Sequence, residues 1–429
     1  FNGAPVVLTF LIRSDGDGTR QPMGDYVSNQ LESLGFTVDR QYKTASEAFP
    51  IWQGTVAADG QWNLYTAGYG VSGLGSLRDE SGNIQQSYLN TSTQASEPYV
   101  SNVSDPEFQK LGDDLAQGNY SSKEERDAMM ARALELSLED SLFVWVIDQK
   151  TYAPYANNVQ VTFDLATGPE STNVGPYNLR FKDQEGGTLK IGTNDLFTEP
   201  WNSVAGSNWI WDGFVVRMTT QGSSNITGGG GLMADPYTGL AYPQRIASAE
   251  LTYKEGLPIN QSLDWLTVTA APQVDVPADA WIDWDATEQR FITVGEKYPD
   301  GLTANVKSLV VYPDDLFETV KWHDGSPLSA GDFVMNMILS FDPGKTESKM
   351  YDEALALSIN ATLSAFKGYR IVSTDPLTIE AYSDTYNTNA ELNILTLWPQ
   401  DLYGLGYENS WPVLAVSNLA EVNGELAYS

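Results

Sequence analysis

Acid–base and metal chemistry have little to work with in this chain. Among 429 residues there is one histidine, His323, and no cysteine. That excludes paired-histidine metal sites and HExxH, together with thiolate nucleophiles, disulfides and cysteine zinc sites. A Ser–His–Asp triad would need His323, but no GxSxG turn is present to expose a serine. No GxxxxGK[ST] phosphate loop occurs. GYGVSG at 68–73 matches GxGxxG, yet LGSLRDESGN follows it and is not a helix that would hold a pyrophosphate at its N-terminus. It reads as a glycine-rich loop leaving a strand. DGDGT at 15–19 opens like a calcium loop, but Arg20 stands where the sixth-position glycine is needed. Asp275, Asp279, Asp283 and Asp285 form an acidic stretch that either binds calcium or is a solvated loop, the second being the simpler reading. Carboxylate pairs suited to glycoside hydrolysis remain open, because separation is invisible in sequence. The expectation is a non-enzyme without cofactor or metal.

Aromatic residues carry the stronger signal. Trp62, Tyr65 and Tyr69 lie on and after a strand in QWNLYTAGYG, and Trp201, Trp209 and Trp211 lie in PWNSVAGSNWIWDG. Between the last three stand Asn202, Ser207, Asn208 and Asp212. Aromatic walls with interleaved polar groups suit a binding cleft, since they supply area, orientation and hydrogen bonds. Packing in a core is the alternative throughout, and for Trp62 and Tyr65 it is the simpler one. The candidate ligand-binding set is Tyr65, Tyr69, Trp201, Asn202, Trp209, Trp211 and Asp212.

The elements that must position these residues can be read from periodicity. VVLTFLIR (6–13) is a near-continuous apolar run, the pattern of a strand buried on both faces. Met23, Val27, Leu31 and Leu34 recur at helical spacing and end at Gly35. FTVDRQY (36–42) alternates as a strand, so the first forty residues make a right-handed βαβ unit and an α/β class. A second helix starts after Asn119, with Ser122 and Glu125 at capping-box spacing. LFVWVI (142–147) reads as another buried strand. Composition turns to Gly, Pro, Asn and Thr over 165–188, which places the main boundary there. TLKIGT (188–193) and LVVY (309–312) read as strands, and RIVSTDPLTIEAY (370–382) as a hairpin turning at Asp375-Pro376.

Composition narrows the partners. The chain has 24 basic and 56 acidic residues, a net charge of −32. Such a field repels phosphate backbones and anionic lipid, so nucleic acid and membrane surfaces are poor partners. No run of 18 apolar residues exists to span a membrane. Phe1 opens the chain without methionine or signal peptide, which reads as a processed or internal segment of a longer protein.

VKWHDGSPLSAGDFV (320–334) resembles the signature of the peptide/nickel class of extracellular solute-binding proteins that serve ABC importers. Physically it reads as a turn at Asp324-Gly325, a helix cap at Ser329 and an acid, Asp332, in the first helical turn. His323 is then a loop-fixing residue and no catalyst. GGTLKIG (186–192) is similar to the family's opening strand, and 370–382 to its strand pair after the HDG helix. Residues 6–42 resemble the late βαβ segment, and 104–147 the late helical segment. Two departures stand out. The HDG segment here follows the late segments instead of preceding them, and AGYGVSG lacks the aspartate that meets a peptide amine in the peptide binders.

The resemblance implies a two-lobed α/β architecture of the type II periplasmic-binding-protein kind, with a ligand cleft between lobes. Residues 1–165 would be one lobe, 166–187 a crossing segment, and 188–429 a second, loop-rich and incomplete lobe. It further implies capture of a peptide or similar solute for an ABC permease, at the cell surface or in the periplasm. The rival reading is the same scaffold self-assembled as a surface layer or filament. Six N-x-Ser/Thr sequons, at Asn90, Asn102, Asn119, Asn225, Asn260 and Asn360, fit an extracellular address.

Overall fold

The structure, a computed structural model, describes residues 3–68, 82–89, 99, 101–102, 105–162, 178–192, 232–234, 240–396 and 409–426, apart from positions 17, 149, 151, 244, 354–355, 357–358 and 361–362. It is a mixed α/β protein with several sheets.

Strand β1 (Val7–Arg13), helix α1 (Arg20–Ser33) and strand β2 (Thr37–Lys43) form the expected unit, with β1 and β2 parallel from Val7↔Thr37 to Arg13↔Lys43. Phe10, Leu11 and Ile12 are buried. Each aliphatic side chain so buried contributes about 2 kcal/mol over an exposed one. Val27 and Leu31 pack on Phe10, Ile12 and Val38, as the apolar spacing marks. Gly24 and Ser28 beside them are buried, whereas Leu34, past the helix end, is exposed. A Cβ at Gly24 would lie 2.7 Å from Ile12 Cγ2, so only glycine lets the helix come this close. At its end Gly35 takes a φ of +95°, and the Phe36 amide donates to the Leu31 carbonyl (3.2 Å). Helix α2 (Ala45–Trp52) follows through a Thr44–Glu47 capping box, and β3 (Leu64–Tyr65) pairs parallel to β1 on the side away from β2.

Helices α3 (Pro106–Gln117) and α4 (Lys123–Asp140) pack through Phe108, Leu115, Ala133 and Leu136. The α4 start forms half of the expected box: the Ser122 hydroxyl accepts the Glu125 amide (3.1 Å), while the Glu125 carboxylate takes the amide of Ser121 (2.8 Å) and not that of Ser122. After it the expectation fails. Residues 142–147 are irregular, and Val144, Trp145, Val146 and Ile147 are more than half exposed. A run of apolar residues becomes a buried strand only when strands flank it, and among the described residues none pairs here. TLKIG (188–192) is likewise irregular and exposed, not a strand. Between them β4 (Val159–Gln160) pairs antiparallel with β5 (Arg180–Phe181). A further short antiparallel pair joins β6 (Leu232–Ala234) to β7 (Ala241–Pro243).

The largest sheet has seven strands in the order β12-β11-β15-β16-β14-β8-β9. These are β8 (Ser248–Lys254), β9 (Leu266–Ala271), β11 (Trp281–Asp285), β12 (Arg290–Thr293), β14 (Val306–Val311), β15 (Phe366–Thr374) and β16 (Leu377–Ser383). All neighbours are antiparallel except β8 and β9. LVVY and the hairpin across Asp375-Pro376 are thus strands, as the sequence reads. One face buries Leu251, Val310 and Ile379 with Met337 of helix α5 (Ala330–Leu339) and Ala390 of helix α6 (Ala390–Thr396). The short pair β10 (Val274–Val276) and β13 (Leu302–Ala304) belongs to a second core with Tyr382. Glu380, almost fully buried, accepts bonds from Lys307 Nζ (3.1 Å), Arg370 Nε and Nη2 (2.9 and 2.6 Å) and the Tyr382 hydroxyl (2.9 Å).

Trp322, His323, Asp324 and Gly325 form the tight turn before α5. The Trp322 amide donates to the Ser326 carbonyl (2.8 Å), and Gly325, at φ +86°, donates back to the Trp322 carbonyl (2.9 Å). Asp324 Oδ1 accepts both the amide and the hydroxyl of Ser326. His323 is exposed and makes no hydrogen bond to the described residues. The loop is therefore fixed by Asp324 and Gly325, a correction to the role expected of His323. Asp332 is buried: its Oδ2 takes the amide and hydroxyl of Ser329, and its Oδ1 takes the amide of Trp411, which opens helix α7 (Trp411–Val422).

Candidate ligand-binding site at the carboxyl edge of the parallel sheet

The chain leaves β1 to build β2 on one side and later returns to lay β3 on the other. Strand order reverses at that point. In open parallel sheets the loops diverge there and leave a crevice at the carboxyl ends of the strands, where ligands bind. Here those ends are Arg13 and Tyr65, followed by the loops that carry Ser14–Asp15 and Thr66–Gly68.

One wall is aromatic. Tyr65 is half-buried and stacks on Trp52, with ring centroids 5.2 Å apart and planes at 20°. Tyr99 meets the same indole edge-on at 5.5 Å, and Trp62 is buried beside them. The indole N–H groups of Trp52 and Trp62 are both buried without an acceptor among the described residues. The other side is charged. Arg13 Nε pairs with Asp15 Oδ1 (2.7 Å), whose Oδ2 accepts the Ala45 amide at the start of α2 (3.1 Å). The backbone amide of Arg13 donates to the hydroxyl of buried Thr66 (2.9 Å). A Cβ on Gly68 would fall 2.4 Å from Arg20 Nη2, so the Arg20 guanidinium lies against the glycine that ends the β3 loop. Burial pushes the Tyr65 hydroxyl up, and Arg13 and Arg20 pull it partly back. Among the described residues Arg13, Asp15 and Arg20 line this side with charged groups.

Of the candidate residues read from sequence, Tyr65 lies in this site. Tyr69, Trp201, Asn202, Trp209, Trp211 and Asp212 lie outside the described residues. Arg13, at the end of β1, Asp15 and Thr66, just after β1 and β3, and Arg20, at the start of α1, are residues the sequence reading did not single out for binding. Nothing matches this chain among protein-family models, curated proteins or solved structures. The site therefore rests on its own geometry.

The acidic stretch does not form a metal site. Asp283 pairs with Lys297 (2.7 Å) and Lys345, Asp279 with Arg370 (3.2 Å), while Asp285 accepts the amides of Thr287 and Glu288. Among the described residues no group of three or more acids and histidines could hold a metal ion. No helix among them is long and apolar enough to cross a membrane.

Proposed function

We propose that this chain is the ligand-binding body of an extracellular solute-binding protein, which captures a peptide or similar solute for an ABC permease. In this reading the protein has two α/β lobes of the type II periplasmic-binding-protein kind, one holding the three-stranded parallel sheet and the other the seven-stranded sheet. The observation that carries it is the reversal of strand order in the parallel sheet, with the stacked Trp52 and Tyr65 and the charged Arg13, Asp15 and Arg20 near the carboxyl ends of its strands. The ordered turn and helix of residues 320–339 support it as the structural signature it resembles. Binding energy comes from aromatic burial and hydrogen bonds, with no chemical step and no cofactor. Exposed sequon asparagines at 119, 260 and 360 suit an extracellular surface.

Native mass spectrometry of the purified protein tests this reading, because a captured solute appears as a discrete added mass. Tyr65→Ala should lose that mass while the chain stays folded. A wild type that carries no solute and takes none from a peptide mixture would sink the proposal. The assembly reading draws support from the exposed apolar run Val144–Ile147, since patches of this kind mark contact surfaces. It predicts concentration-dependent oligomers in the same spectra.

A further inference from the structure

A continuous set of contacts runs from the crevice to the seven-stranded sheet. Trp52, which stacks on Tyr65, meets Tyr99 edge-on, and the Tyr99 hydroxyl donates to the Leu89 carbonyl (3.1 Å). Leu89 closes the turn Ile84–Leu89 and seats on α3, where a Cβ on Gly112 would lie 2.4 Å from Leu89 Cδ1. Six residues on, α3 is capped by Gly118 with φ +73°. Tyr386 arrives there from the far side of the sequence, just beyond β16. Its ring lies so close that a Cβ on Gly118 would sit 2.8 Å from Tyr386 Cε1. Its hydroxyl faces two main-chain acceptors, the carbonyls of Gly118 and Tyr120, the second at 3.2 Å. Tyr386 belongs to the core of the seven-stranded sheet and Tyr120 to the core of the α3–α4 pair, with ring centroids 6.3 Å apart.

A phenol has one proton. With two carbonyls in reach, the hydroxyl can bond either while its ring stays buried, which gives the contact two discrete arrangements. Coupling between distant sites needs such a two-state element at the end of a packed path. We propose that Tyr386 is a latch between the two α/β units, and that the packing of Trp52 and Tyr65 in the crevice sets its state. This deepens the ligand-binding reading and rests on it for its biological sense, because solute contacting Tyr65 would then be felt at the junction of the units.

The test needs no ligand. Hydrogen–deuterium exchange reports the amides of Gly118, Asn119 and Tyr120, which bond to Leu115, Asp114 and Gly118 carbonyls respectively. Tyr386→Phe keeps the ring and removes the proton, and should speed exchange of these amides about tenfold, as loss of a buried hydrogen bond at a helix end permits. Tyr65→Ala, made at the far end of the path, should shift the same amides. The double variant should match Tyr386→Phe alone, since the latch is then already released. If Tyr65→Ala leaves residues 118–120 at the wild-type rate, or if the two effects simply multiply, the latch is not coupled to the crevice and the inference falls. A separate arm adds a mixture of tripeptides to the wild type. No response there, with coupling intact between the variants, would overturn the ligand reading and leave the latch standing.

Discussion

Glu380 is the residue whose loss the seven-stranded sheet should feel most sharply. Its carboxylate, with side-chain exposure of 6%, takes four bonds from Lys307, Arg370 and Tyr382, and all three donors lose its charge if it is neutralised. Burial alone would raise this carboxyl; the bonds from Tyr382, Lys307 and Arg370 overcome that and hold it below the usual range. Glu380→Gln keeps the shape but removes the charge that faces the Lys307 ammonium and the Arg370 guanidinium, groups that can only donate, and sets an amide N–H₂ among these donors. Arg370 retains Asp279, an exposed partner that screens it little. Breaking a buried pair from one side costs about 3–5 kcal/mol; with Lys307 and Arg370 each about a quarter exposed, about 3 kcal/mol is expected. Urea unfolding at pH 7 measures it as a lower midpoint at unchanged slope. The pH dependence gives the second reading. The folded carboxyl lies below its unfolded value of about 4.3. Its stabilisation is therefore complete above that value and is lost as pH falls through the folded one. The gap between wild type and Glu380→Gln should close below about pH 4. Equal midpoints at pH 7, or a gap that persists unchanged in acid, would show that the network does not stabilise the sheet.

Three further outcomes are expected. Gly325→Val places a β-branched residue at φ +86° with open space around it, so strain alone should lower stability by about 1–3 kcal/mol in thermal melts. A variant that melts like wild type but no longer retains solute would move the turn into the binding site. Asp332→Ala unties Ser329 and the start of α7 together and should cost about 2–3 kcal/mol, with earlier proteolysis near Trp411 as its local sign. Because Asp15 is held by Arg13 and the Ala45 amide and so is not offered to an ammonium, free and N-acetylated peptides should bind within tenfold, or 1.4 kcal/mol, by titration calorimetry; a larger free-amine preference would mean that another carboxylate meets the ammonium.

The βαβ unit, the α4 start and the 366–383 hairpin were legible because local pattern decides them. Apolar periods of two or 3.6 and turn residues are written in neighbouring positions. LFVWVI shows the limit: its apolar content is right for a buried strand, but pairing depends on distant partners. Helix α1 shows another, since its close approach to Ile12 depends on Gly24, which carries no hydrophobic signal. In the site, Tyr65 was visible as an aromatic at a strand end. Arg13, Asp15 and Arg20 were hidden, because charges in a loop read as solvated until the reversal of strand order brings β1 beside β3.

The seam of the large sheet has its own consequence. Strands β11 and β15 touch in register at one residue pair, Trp281↔Tyr369, and within the hairpin β11 carries a bulge against β12 between Trp281 and Asp283. Side chains add to this pair: Trp281 packs on Tyr369 with centroids 5.9 Å apart, Trp284 Nε1 bonds Asp342 (2.7 Å), and Lys345 reaches Asp283. A one-pair ladder transmits little torsion, so the β11–β12 hairpin can take its own twist relative to the five strands from β15 to β9. Mechanically, the seven strands are a stiff plate of five with a two-stranded flap, and sequence change in the flap can alter its angle without disturbing the register of the plate.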